Sequence, residues 1–254
     1  MARLRKRRPM PRPHCCILVP TIPRNPPTLT HSVTSILKGL EGNDDWRFYI
    51  VKHQSDHPEA DEVAGKYGLE LVDASMRREP KGHWEKSLTL DMAWTLELGA
   101  ETGAEHLLYL EDDIEAANNL SRALYSRTWL TFLFSGLCGL NNWHHPNPSG
   151  TVGMLLRNDR SVGLLVDYLR KHCDEGAADA LVWSFLKKQR LSVSQRIPNP
   201  IQHLGFSSSC DSRACTVQSP TYRKNGKVPP PLMVVWSLRY FATRAKIYLE
   251  SRRR

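Results

Sequence analysis

The stretch His106-Leu107-Leu108-Tyr109-Leu110 runs without a break into Glu111-Asp112-Asp113-Ile114-Glu115. A short apolar run of this kind predicts a strand buried on both faces, the kind found in parallel sheets covered by helices. Three consecutive carboxylates at its end repel one another unless positive charge lies nearby. One source of that charge is the start of a helix, where acids are favoured. The other is a metal ion. In open α/β sheets ligands bind at the carboxyl ends of the strands. Mg²⁺ and Mn²⁺ prefer oxygen ligands, commonly one or two carboxylates plus substrate phosphates. The strand context favours the metal, Mn²⁺ or Mg²⁺, with Asp113 as its direct ligand and Glu111 and Asp112 beside it.

The remaining pattern supplies the sheet. Cys15 to Val19 reads as a buried strand that stops at the proline-rich Pro20 to Pro27. Thr30 is positioned to cap a helix carrying Val33, Ile36, Leu37 and Leu40, with Gly39 and Gly42 near its stop. Phe48 to Val51 is a strand, Pro58 to Tyr67 a helix stopped by Gly68, and Leu69 to Val72 a third strand. After a polar loop at 76–83, Trp84 to Leu98 is a long helix leading to the acidic strand. Residues 120–134 read as a helix, 136–148 as a loop and Thr151 to Leu156 as a strand. Ser161 to His172 and Ala177 to Lys188 are helices, Leu191 to Val193 a short strand, and Pro198 to Ser209 irregular. Strands alternating with helices predict an α/β fold with a mostly parallel central sheet flanked by helices. With 254 residues and 41% hydrophobic content, one domain with one substantial core is expected.

The formal net charge of +9 is concentrated at the ends. Residues 1–13 form a basic, proline-rich arm, 14–228 the globular domain, and 229–254 an amphipathic helix (Leu232 to Leu249) with a basic tail. Such runs are either solvated tails or docking elements for polyanions and anionic membranes. The six cysteines show no paired spacing that suggests zinc. No signal peptide or membrane-spanning run is seen. The expectation is a cytoplasmic protein with reduced thiols and no transmembrane segment.

Leu108-Tyr109-Leu110-Glu111-Asp112-Asp113-Ile114 resembles the acidic DxD-type motif of GT-A glycosyltransferases. Together with Val19-Pro20-Thr21-Ile22-Pro23-Arg24 and His203-Leu204-Gly205-Phe206-Ser207-Ser208-Ser209, it is similar to the N-acetylglucosaminyltransferase-IV family. The likeness runs in order over about residues 15–210. The chain departs from that family in being shorter, in lacking a membrane anchor and in its basic tails. The resemblance implies a GT-A (Rossmann-like) fold, a nucleotide-sugar donor and His203 as a further ligand of the metal or diphosphate. It also implies a catalytic base at a helix start between the metal motif and the late histidine. Asp179 fits that place, with Asp174 and Glu175 as competitors; an acid preference in the first helical turn is the alternative explanation.

Strand ends should also hold the nucleoside, which points to Thr21, Arg24 and Asp56. Arg77, Arg78 and Lys81 are candidates for the diphosphate, since guanidinium groups grip phosphate oxygens in pairs. Each of the six has an alternative as a solvated surface residue. His144-His145 lacks further zinc ligands at a convincing spacing, and Trp143 is a candidate platform for a sugar or base. The resulting expectation is an inverting glycosyltransferase, hexosyl- or N-acetylhexosaminyl-type, using a UDP-sugar and a hydroxyl acceptor, a glycan or hydroxymethylated DNA. The alternatives are a non-catalytic basic nucleic-acid-binding protein and a membrane-surface protein.

Overall fold

The computed structural model describes residues 13–77, 84–134, 151–196 and 199–204, with Tyr222 and Lys224. Its centre is a seven-stranded sheet in the order β3-β2-β1-β4-β7-β6-β8. Strands β1 (Cys15–Thr21), β2 (Trp46–Lys52), β3 (Glu70–Asp73) and β4 (His106–Leu110) are mutually parallel. β6 (Leu130–Phe132) and β8 (Val193–Gln195) are parallel to each other, and β7 (Gly153–Arg157) runs antiparallel to β4 and β6. A separate antiparallel pair joins β5 (Ile114–Ala116) to β9 (Ile201–His203). This is a mostly parallel, helix-flanked sheet in one domain, consistent with a GT-A (Rossmann-like) fold.

The two cores follow from the strand period of two. Cys15, Ile17 and Val19 of β1 and Leu108 and Leu110 of β4 face one layer, shared with α1 (Leu29–Gly39) and α2 (Pro58–Tyr67). Cys16, Leu18, Leu107 and Tyr109 face the other, covered by α3 (Trp84–Glu101), α4 (Arg160–His172) and α5 (Ala178–Gln189). Strands buried on both faces need apolar residues at every position, which is why these runs do not alternate. Among the described residues, no helix is long and apolar enough to cross a membrane.

Several expectations shift. β1 continues through Pro20 to Thr21, because β4 pairs with it only as far as Leu18 and no ladder bond is asked of the proline. Thr30 is not the cap of α1. The helix starts at Leu29 after Thr28, which makes no side-chain cap bond, and Thr30 bonds Glu59 through N and Oγ1. The helix expected at 120–134 is a short 3-10 turn, Leu120–Ala123, followed by β6. β6 pairs with β7 and β8, and the Thr128 and Thr131 hydroxyls add bonds to Ser194 of β8 at 2.7 and 2.9 Å. Arg190 closes α5 in the left-handed region (φ 52) and Leu191 bonds back to Leu186, so β8 starts two residues later than expected. Part of the stretch expected to be irregular, Ile201–His203, is β9. The 136–148 loop and the 232–249 helix lie outside the described residues.

Candidate metal and nucleotide site

The strand order reverses between β1 and β4: from β1 the chain moves outward through β2 and β3, then returns to the other side of β1. Crevices at such switch points, at the carboxyl ends of the strands, are where α/β sheets bind ligands. Thr21 ends β1 there, and the acidic triplet follows β4. The two ends are tied together. Thr21 Oγ1 donates to Asp112 Oδ2 at 2.6 Å, and Arg24 Nε donates to Asp112 Oδ1 at 2.6 Å. Arg24 also reaches Asp113 Oδ2 with Nη1 at 3.1 Å. Since the single hydroxyl proton of Thr21 goes to Asp112, its contact with His57 Nε2 (2.8 Å) must be accepted from the ring. His57 therefore carries its proton on Nε2, and burial holds its pKa below the usual histidine range.

A second set of bonds fixes the backbone of the triplet. Ser32, on the buried face of α1, donates Oγ–H to the Asp112 carbonyl (2.8 Å) and accepts from the Ile114 N–H (3.0 Å). One turn on, Ser35 accepts from the Ala116 N–H at 2.9 Å. Helix α1 thus holds the whole segment after β4 against the core. Ser32→Ala should cost about 1–3 kcal/mol, because it strands two buried backbone groups. Urea unfolding would check this, and an unchanged midpoint would show that water replaces the hydroxyl.

The triplet divides by function of contact. Asp112, only 2% exposed, is spent on Thr21 and Arg24. Glu111 and Asp113 instead meet His203. The β5–β9 pairing sets Ile114 opposite His203, and the Leu204 N–H donates to the Asp113 carbonyl at 2.8 Å. His203 Nε2 lies 3.2 Å from Asp113 Oδ2 and 3.7 Å from Glu111 Oε2. One ligand atom from each of Glu111, Asp113 and His203 falls within 4.8 Å of the others. Thr151 Oγ1 donates to the second Glu111 oxygen at 3.2 Å. Asp113 Oδ1 is buried and has no hydrogen-bond partner among the described residues. An orphaned carboxylate oxygen beside two further ligands suits a divalent cation; two carboxylates and one imidazole are a donor set that Mn²⁺ accepts and Mg²⁺ tolerates.

The electrostatics point the same way. Burial, then the Asp113 charge, pushes Glu111 up to about 7. Burial outweighs Arg24 at Asp112 and raises it to about 6. Burial also disfavours the Asp113 carboxylate, but the His203 hydrogen bond and Arg24 overcome it and hold Asp113 below its ordinary value. His203 is raised, since Asp113 and Glu111 outweigh its own burial. The sign for stability follows. Glu111 (4.5 to about 7) and Asp112 (3.8 to about 6) hold protons in the fold that the unfolded chain releases. Their contribution is complete below the unfolded values and lost as pH rises through the folded ones; raised His203 acts in the same direction, and Asp113 opposes it. The metal-free protein should therefore lose stability from this site between about pH 5 and about pH 8, and Mn²⁺ should raise Tm more at the upper end. Thermal melts at both pH values with and without Mn²⁺ check this; an equal metal shift at both would contradict it.

The other expected residues are dispersed. Asp56 is exposed in the turn between β2 and α2. Arg77 ends a 3-10 turn, Ser75–Arg77, and nothing is described of its side chain; Arg78, Lys81 and residues 205–209 lie outside the described residues. Asp179 is in the first turn of α5, part-exposed, with Oδ1 accepting from the Ala180 N–H at 2.8 Å. Its competitors are engaged: Asp174 with Lys86 (3.4 Å) and Glu175 with His172 (2.7 Å). Ser32, His57 and Thr151 were not legible as site residues. Each is a common polar residue in an unremarkable local pattern, and only the packing brings it to the triplet.

No protein-family model matches the chain, and no curated protein matches it. Among solved structures, the chain is similar to a protein named as a nucleotide-diphospho-sugar transferase from Desulfovibrio desulfuricans G20, at 15% identity and TM-score 0.48, covering 72% of this chain and 80% of that one. It is similar to the galactosyltransferase LgtC in complex with donor and acceptor sugar analogues, at 12% identity and TM-score 0.47, covering 71% and 72%. It is also similar to S. aureus TarS 1–349, at 12% identity and TM-score 0.49, covering 74% of this chain and 59% of that one.

Proposed function

We propose that the chain is a metal-dependent glycosyltransferase that moves a hexosyl or N-acetylhexosaminyl group from a UDP-sugar to a hydroxyl acceptor with inversion. The observation that carries this is the Glu111–Asp113–His203 cluster, set at the carboxyl edge of the sheet's switch point with a buried Asp113 oxygen that has no partner among the described residues. In this reading the three side chains hold Mn²⁺ or Mg²⁺, with Asp113 central. A cation there polarises the donor diphosphate and offsets the charge that develops on it as it leaves. Asp112 is the floor of the site, held by Thr21 and Arg24, and Asp56 is the group offered to the ribose. Arg77, Arg78 and Lys81 are the basic groups offered to the diphosphate. Asp179 takes the proton of the acceptor hydroxyl; that oxygen attacks the anomeric carbon, and the bond from carbon to the diphosphate oxygen breaks. The catalytic unit in this reading is 14–228.

The experiment is a panel of nucleotide-diphospho-sugars, each followed for hydrolysis and for transfer to glycan and to hydroxymethylated-DNA acceptors, with Mn²⁺, Mg²⁺ or chelator. Turnover of one donor, abolished by chelator, is expected. Full turnover in chelator, or no turnover and no donor-induced rise in Tm across the panel, would overturn the reading.

A further inference from the structure

The opposite edge of the sheet carries a second constellation that the proposed reaction does not use. β1 and β4 are neighbours in register, and their amino-terminal ends bring His14, Glu105 and His106 together. One ligand atom from each lies within 4.8 Å of the others. The strand rise puts this cluster about 20 Å from the acidic triplet. We propose that His14, Glu105 and His106 hold a divalent transition-metal ion of the Zn²⁺ class, distinct from the cation of the acidic triplet.

Three observations support it beyond proximity. First, both rings have a buried nitrogen, His14 Nε2 and His106 Nδ1, with no hydrogen-bond partner among the described residues. A buried nitrogen without a partner is costly for a purely structural histidine and is natural for a ligand. Second, the two imidazoles lie side by side with ring centroids 4.9 Å apart, and His14 Nδ1 lies 3.0 Å from Glu105 Oε2, so the three donors already converge. Third, the backbone is rigid here. The His106 N–H donates to the His14 carbonyl (3.0 Å) and the His14 N–H to Asp45 Oδ1 (3.0 Å). The Tyr125 ring stacks on His14 at 4.7 Å.

The donor set separates the two sites chemically. Two imidazoles and one carboxylate suit Zn²⁺, Cu²⁺ or Ni²⁺, while two carboxylates and one imidazole suit harder ions. Ligands of a tetrahedral zinc sit about 3.3 Å apart. Glu105 is two-thirds exposed at its side chain (67%) and can move to meet that spacing without disturbing the core. A simple His14–Glu105 ion pair is the competing explanation, and it leaves the His106 nitrogen unexplained.

The test uses the full tag-free chain, dialysed against Zn²⁺ and assayed for bound metal, and titrated with Co²⁺ as a visible-absorbing probe. One tightly held Zn²⁺ is expected, with a rise in Tm. The Asp113→Asn variant should keep it, whereas His14→Gln and Glu105→Gln should weaken it by about 10–100-fold or more. Co²⁺ absorption typical of a four-coordinate site should follow the same pattern. His106 is buried and its replacement risks the fold, so the exposed Glu105→Gln variant carries the decision. Zn²⁺ affinity unchanged in both Glu105→Gln and His14→Gln, or tight Zn²⁺ lost in Asp113→Asn, would overturn the assignment.

Discussion

On the proposed function, Asp113→Asn is expected to lower sugar transfer by about 10³-fold or more, the scale of losing a charge-stabilising group in a water-excluded site, while the protein still unfolds cooperatively. The amide keeps the shape of the side chain, so the packing of β4 and β5 is not disturbed. What it loses is the charge beside Arg24 and His203 and one of the two oxygens available to a cation. The Mn²⁺-dependent rise in Tm should vanish with the activity. Asp112→Asn makes the contrast. Both Asp112 oxygens are occupied by Thr21 and Arg24, so its replacement should disturb stability more than metal affinity. If Asp113→Asn turned over donor at the wild-type rate, or still gained stability from Mn²⁺, the cation would have to be held elsewhere.

On the same proposal, Asp179→Asn is expected to reduce kcat by about 10²–10⁴-fold, the usual contribution of a general base, with metal-dependent donor binding preserved. Its place follows from topology. β7 runs antiparallel to β4, so α4 starts at the sheet's opposite edge and returns toward the carboxyl edge, where α5 begins. The Lys86–Asp174 ion pair joins the start of α3 to the α4–α5 turn at that same edge. Asp179 is part-exposed there and, among the described residues, bonds the Ala180 N–H through Oδ1; in the proposed reaction its other oxygen takes the acceptor proton. Asp174→Asn and Glu175→Gln serve as controls, since both carboxylates already have partners. Loss of turnover in a control with Asp179→Asn intact would move the base along the chain. If none of the three variants mattered, the product's anomeric configuration by NMR would show whether the reaction inverts at all.

How much was legible varied with the type of signal. Long apolar runs were read well: β1, β2, β4, α2, α4 and α5 stand within a few residues of their expected bounds. The segment 120–134 failed because its leucines pair at helical intervals only locally, 120 with 124 and 130 with 133, and carry no strand alternation to contradict a helix. Only the partner strands β7 and β8 decide that Leu130–Phe132 is extended. β9 failed for the same reason at smaller scale. Three residues carry no period, and the pairing with β5 alone makes them a strand.

The chain's own order determined that three carboxylates would sit at the end of a buried parallel strand, because burial on both faces and a crowded run of like charges are local properties. It also made His203 a candidate partner by resemblance. What the order could not decide was how the acids would divide their work. Adjacent side chains on an extended segment point different ways, and which of them meets Thr21 and Arg24 or His203 depends on elements up to 91 residues away. The tertiary structure committed Asp112 to the β1 end, pinned the backbone through Ser32, and left Asp113 with a buried oxygen that has no partner among the described residues, beside Glu111 and His203. Hydrogen-bond partners are chosen by distance in space, and only the packing of α1, β1 and β9 around β4 sets those distances.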